Sequence, residues 1–307
     1  MRGLALFLAC LFLAGAAEAQ APRVLVTLKP LHAIVAGVMD GVGTPTLLIS
    51  GAASEHTYTL KPSDARAVAG ADLVVLVDDS LETWLRRPLA NRKNKAGVLR
   101  LLKAPGVATL PLREGGAWEA EDDDHGHGHD HSRAQLDGHI WLDPRNGQAI
   151  ARAVAAALGA VDAGRAAVYA ANAEKVAGEL AALDQRIATD LVPVRGQPFI
   201  VFHDAYQYFE ARYGLNAAGS LTVDPERQPG ARRVSEIRAK IADRRAVCVF
   251  REPQFTPALV NTLLQGTAAR SGELDPIGAA VPPGPDAYAT ILHNLASALT
   301  NCLSGAS

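Results

Sequence analysis

Residues 168–191 read VYAANAEKVAGELAALDQRIATDL. Val168, Asn172, Val176, Leu180, Leu183, Ile187 and Leu191 recur at three- and four-residue steps, which places them on one face of a helix. The segment is rich in alanine and meets no proline between Asp162 and Pro193, so nothing in it interrupts a helix. About 30 residues of helix span roughly 45 Å. A helix of that length is a stiff connector, and the rest of the chain divides around it.

On either side, short apolar runs alternate with helical stretches. Val24 to Leu28, Thr46 to Ile49 and Leu73 to Val77 read as strands, with helices through Ile34 to Met39 and Ser63 to Ala69. After the long helix, Phe199 to Phe202 leads into a helix ending at Tyr213, and Val234 to Ile241 leads to a strand at Ala246 to Phe250. Alternation of this kind predicts parallel sheets covered by helices. The expected fold is α/β, with two Rossmann-like lobes bridged by one rigid helix and a cleft between them. The N-terminal lobe is expected over 20–159, the linking helix over 160–192 and the C-terminal lobe over 193–307.

Three histidines stand in local sequences suited to holding a metal. They are His56 in Ser-Glu-His-Thr-Tyr (54–58), His139 in Asp-Gly-His-Ile-Trp-Leu-Asp-Pro (137–144) and His203 in Phe-Ile-Val-Phe-His-Asp-Ala-Tyr (199–206). In parallel α/β sheets ligands collect beyond the carboxyl ends of strands. His56 and His203 each follow a strand, one in each half of the chain. A lone histidine beside apolar residues is usually a core residue, but three in such settings point to zinc. Neutral imidazole suits that ion, and three nitrogens plus one oxygen complete its tetrahedron. The oxygen is left open between Glu55, Asp275 and water. Because imidazole must be neutral to bind, affinity is expected to weaken below about pH 6.5. His32 and His293 have no comparable setting and receive no role.

The chain has 307 residues, 49% of them hydrophobic, and a net charge of −2. No basic excess exists to neutralise phosphates, so no nucleic-acid partner is expected. Arg2, the apolar stretch Leu4 to Leu13 and Ala17-Glu18-Ala19 make residues 1–19 a signal peptide, cleaved after Ala19. Cys10 offers a lipoprotein alternative with a very short apolar stretch. Export to the periplasm is the expectation, as a monomer. Cleavage leaves Cys248 and Cys302, and an oxidising compartment favours a disulfide between them over two buried thiols.

Several motifs in the same order resemble the zinc-binding proteins of bacterial high-affinity zinc ABC transporters, in the metal-specific cluster of solute-binding proteins. They are Gly51 to Tyr58, Lys61-Pro62-Ser63-Asp64, His139 to Pro144, Phe202 to Phe209, Phe250 to Phe255 and Leu274 to Gly278. The resemblance covers the whole mature chain. It implies a metal between two α/β lobes, held by His56, His139 and His203. Glu55 matches a position that completes the sphere in zinc members, and Asp275 one that serves as a ligand in some relatives. Manganese members carry a carboxylate where His203 stands, so histidine there implies zinc. Cys248 and Cys302 match the disulfide of zinc members. His32 departs from the pattern, which has a small residue after Pro-Leu. The implied partners are the transported Zn2+ and an inner-membrane permease with its ATPase.

Residues 115–133 contain Asp-Asp-Asp-His-Gly-His-Gly-His-Asp-His (122–131), too polar to fold alone and expected as a loop. His125, His127, His129 and His131 are candidate low-affinity zinc ligands. They suit capture of zinc for the cleft, sensing of high external zinc, or only incidental binding. Two other functions compete with import. A zinc hydrolase also uses three histidines with an open position, but His-Glu-x-x-His and the deaminase motifs are absent. A periplasmic zinc buffer or metallochaperone without a transporter needs less than two full lobes. The expectation is therefore a binding protein, not an enzyme.

Overall fold

The strands Val24–Val26 (β1), Thr46–Leu47 (β2), Leu73–Leu76 (β3) and Val98–Arg100 (β4) form one parallel sheet in the order β2-β1-β3-β4. Pro198–His203 (β5), Asn216–Thr222 (β6), Cys248–Arg251 (β7) and Arg270–Glu273 (β8) form a second, in the order β6-β5-β7-β8. The two orders are the same, so the fold repeats one winding scheme. In each sheet the chain goes first to one side of its opening strand and then to the other. The strand order thus reverses between β1 and β3 and between β5 and β7, the places where doubly wound sheets bind ligands. This computed structural model describes residues 20–94, 97–113, 135–222, 230–243, 245–255 and 258–305. The expected leader with Cys10 and Ala19, and the tract with His125, His127, His129 and His131, lie outside the described residues.

Strand side chains alternate between faces, and both faces of each sheet are covered. Val24 and Val26, Leu73 and Val75, Phe199 and Val201, and Cys248 and Phe250 all turn into one continuous core shared by the two lobes. Leu25, Val74 and Leu76 turn outward under the helices Pro62–Gly70 and Arg86–Ala90 (α2 and α3). Ile200, Phe202 and Val249 turn outward toward Ile237, Ile241, Val260 and Leu263. The last four lie on Ala231–Asp243 (α7) and Ala258–Leu264 (α8), which follow Gln207–Tyr213 (α6) in the chain.

The expected long helix is present, and it does not stand alone. Ala166–Asp190 (α5) is a helix of 25 residues that leads toward β5, but it is one arm of an antiparallel pair with Pro144–Val161 (α4). Gly159 faces Ala166 and Arg152 pairs with Glu174 at 2.7 Å, so the arms run alongside each other. Their close approach requires glycine at 147, where a Cβ would lie 2.8 Å from the Tyr288 hydroxyl and 3.0 Å from Leu180. The buried face of α5 also begins one residue later than the pattern predicts. Tyr169, Ala173 and Ala177 are buried while Val168 is 44% exposed.

The lobes are fastened as well as apposed. Lys29, at the start of Lys29–Val38 (α1), donates to the carbonyls of Gly278 and Ala279 in the second lobe. Trp141 Nε1 donates to Pro276 O at 2.8 Å, and the Tyr288 hydroxyl to Trp141 O at 2.6 Å. Tyr288 lies on the last helix, Ala287–Ser304 (α9), which the Cys248–Cys302 disulfide ties to β7 as expected.

Candidate metal centre

His203 is the last residue of β5, and Glu252 directly follows the neighbouring strand β7. The pair therefore stands at the point where the second sheet reverses its order. His203 Nδ1 lies 2.8 and 2.9 Å from the two Glu252 oxygens, and both side chains are buried. His139 enters the 3-10 turn Ile140–Leu142, after which Asp143 caps α4 by accepting from Arg145 N at 2.8 Å. Asp137 Oδ1 accepts from His139 N at 2.9 Å and meets its Nδ1 at 2.7 Å. Behind the His139 and His203 rings a carboxylate accepts the hydrogen bond from Nδ1–H, which leaves Nε2 facing the centre.

Glu55 and His56 come from the irregular loop between β2 and α2. His56 N donates to Ser54 Oγ at 3.2 Å, and Trp84 Nε1 donates to Glu55 O at 2.8 Å. Glu55 is 3% exposed, yet its Oε1 has no hydrogen-bond partner among the described residues.

These elements bring four groups together. His139 Nε2 and His203 Nε2 are 3.4 Å apart, and Glu55 Oε1 is 3.8 Å from both His56 Nε2 and His139 Nε2. One ligand atom from each of Glu55, His56, His139 and His203 falls within 4.8 Å of all the others. A tetrahedron with bonds of about 2.0–2.1 Å has edges of about 3.4 Å; three edges of the cluster are already 3.4 to 3.8 Å, and none exceeds 4.8 Å. Asp275 is not in the group. Its carboxylate accepts from the backbone of Ile277, Gly278 and Ala279 and from Gln254 Nε2. His32 is buried with Nε2 3.0 Å from Pro45 O, and His293 is exposed on α9.

The charges around the cluster have consequences. Burial alone would lower the His203 pKa, but Glu252 outweighs it by charge and hydrogen bonding, with help from Glu55 and Asp204, and raises it to about 9. Arg113 donates from Nε to both Asp204 oxygens at 3.0 Å and from Nη1 to Glu210 at 2.6 Å. Burial still pushes Glu210 up to about 7, against the pull of Arg113. Asp137 stood in a motif and two residues from a histidine, a signal sequence reasoning passed over. Glu252 is 49 residues from His203, and only the pairing of β5 with β7 joins them.

Two parallel-sheet lobes around three buried or half-buried imidazoles and a carboxylate with one oxygen free of hydrogen bonds define a metal-specific solute-binding protein. The chain belongs to the family described as "ZnuA: Zinc-uptake complex component A periplasmic", whose family model matches residues 24–302. A "High-affinity zinc uptake system protein ZnuA" of Brucella suis biovar 1 (strain 1330) is 46% identical, covering 97% of this chain and 98% of the relative. The protein of that name from Paracoccus denitrificans is 38% identical over 94% of this chain and 93% of its own length. Among solved structures, a crystal structure of ZnuA superposes with a TM-score of 0.78 at 23% identity, covering 92% of this chain and 99% of that one. A mutant of the laminin-binding adhesin of Streptococcus agalactiae gives 0.76 at 24% identity, covering 92% and 100%. At those identities the structures speak for the fold alone. Members of the family are transport components, so the hydrolase reading is set aside.

Proposed function

We propose that Glu55, His56, His139 and His203 hold one Zn2+ as cargo, and that the protein is the periplasmic zinc-binding component of an ABC importer. It delivers the ion to a membrane permease served by an ATPase. The observation that carries the ligand set is the buried, unpartnered Glu55 Oε1 facing imidazole nitrogens at 3.8 Å. A buried acceptor without a donor is costly, and a cation at the centre removes that cost. With Glu55 as the fourth ligand no position remains for an activated water. Asp275, whose oxygens already serve a backbone turn, stays outside the sphere. The protein acts as a monomer after cleavage behind Ala19, and His125, His127, His129 and His131 add weaker zinc sites.

Zinc titration of the metal-stripped mature protein against a competing chelator tests this reading. Wild type should show one tight site that His203→Ala loses. Tight binding that survives His203→Ala would move the metal elsewhere and return the buffer reading.

A further inference from the structure

Two of the four proposed ligands, Glu55 and His56, sit next to each other on a loop without regular structure. His56 is also the most open of the three ligand histidines, its side chain 25% exposed against 5% for His139 and 3% for His203. What fixes that loop is a bracket extending from β3. Beyond the strand, Leu81 N and Glu82 N return to Asp78 O, Ser80 N to Asp78 Oδ1, and Leu85 N to Glu82 O. Asp78 N donates in turn to Glu82 Oε2 at 3.1 Å, and Glu82 and Leu85 are both 0% exposed. The turn is thereby held rigid at its base, and Trp84 projects from it. Its Nε1 donates to Glu55 O, and its ring meets Tyr58 edge-on with centroids 5.2 Å apart. Tyr58 is itself tied to Asp64, on α2, at 3.0 Å.

The hydrogen bonds meet on one peptide group. Glu55 O and His56 N belong to the same planar unit, with Trp84 holding its oxygen and Ser54 Oγ its N–H. Fixing that plane fixes the two Cα atoms from which both side chains leave the backbone. We propose that Trp84 is a positioning residue for cargo binding, whose indole N–H orients the peptide between Glu55 and His56 and so sets the zinc affinity of this half of the site. The inference rests on the ligand reading above. A site held by its supporting shell loses affinity when that shell loosens, even with every ligand present.

The decisive variant is Trp84→Phe, which retains a ring against Tyr58 and removes the donor. Chelator competition should show zinc affinity reduced about fivefold, the worth of one neutral hydrogen bond, with faster zinc release. Combined with Glu55→Gln, the two losses should be less than multiplicative, since one acts through the other. Unchanged affinity in Trp84→Phe overturns the proposal, and so do fully multiplicative losses, which mark a general structural role. If Trp84→Phe does not fold, benzothienylalanine at position 84 removes the N–H at constant shape and carries the same two outcomes. Failure of the ligand reading is separately visible: Glu55→Gln and His56→Ala would then each leave tight binding intact.

Discussion

His139 Nε2 and His203 Nε2 face each other across the two lobes at 3.4 Å, and each ring has a carboxylate at its back, Asp137 at 2.7 Å and Glu252 at 2.8 Å. The carboxylates fix the orientations of both rings through protein contacts. Two lone pairs at that distance repel unless a proton or a cation lies between them. Glu252 meets His203 Nδ1 with both oxygens, at 2.8 and 2.9 Å. Glu252→Gln retains an acceptor of the same shape but removes the charge. Zinc affinity should fall by about tenfold to a hundredfold, the usual cost of losing a partner behind a ligand. Chelator competition reads this directly, and an unchanged affinity would deny Glu252 any part in binding.

Zinc must displace the proton that His203 holds below about 9. Apparent affinity should therefore decline from about pH 9 downward, by roughly tenfold per unit for one exchanged proton. The decline begins well above the 6.5 that an unperturbed imidazole gives. The metal-free fold responds in the opposite sense. A folded pKa raised to about 9 from 6.5 contributes stability that is complete below pH 6.5 and is lost as pH rises through 9. Titrations at pH 9, 8, 7 and 6, each with a denaturant curve of the metal-free protein, check both slopes. Affinity that stays flat across that range would contradict a protonated His203.

The parts of the fold legible in the sequence are those whose burial leaves an apolar record. The central strands β1, β3, β5 and β7 are covered on both faces and read as continuous hydrophobic runs. The edge strands β4, β6 and β8 do not: Arg270–Glu273 is RSGE, mostly exposed. α4 does carry an apolar record, since Ile150, Val154 and Leu158 recur at four-residue steps on its buried face, but the strand and helix pattern set out above leaves it unassigned; Gly147, Ala151 and Ala155 beside that stripe admit its neighbours. Asn172 shows how a pattern shifts. It sits at an apolar step in the series, but it serves α1 by donating to Val38 O and Asp40 O. The three histidines are legible from local motifs and Glu55 only as one of three candidate oxygens beside Asp275 and water, whereas Glu252, Trp84 and Arg113 depend on contacts between distant segments that spacing does not encode.

The His-rich tract gives a prediction of its own, since it is separate in sequence from the four clustered residues. Deleting 119–133 should reduce the number of zinc ions bound at high zinc while the tightest site keeps its affinity. Stoichiometry by metal analysis and affinity by chelator competition separate the two effects. Loss of the tight site on deletion would place the cargo in the tract.

Arg113 joins the segment before that tract to the second lobe, and its partner Asp204 directly follows His203. The side chains of Asp204 and Glu210 are each 7% exposed, and that of Arg113 is 19% exposed. Removing one partner from such a buried network leaves uncompensated charge, at about 3–5 kcal/mol. Arg113→Ala should lower the unfolding free energy of the metal-free protein by that order. The loss should be largest at pH 8 and shrink toward pH 5, because Glu210, at about 7 even beside Arg113, takes up a proton as pH falls. Arg113→Lys keeps the charge but not the planar fork that meets two carboxylates at once, and should fall between wild type and Arg113→Ala. Zinc affinity should weaken in the same order, because Asp204 carries the backbone of His203 with it. Denaturant unfolding at the two pH values measures the first effect and chelator competition the second. Stability unchanged in Arg113→Ala would mean that Asp204 and Glu210 are neutralised without it.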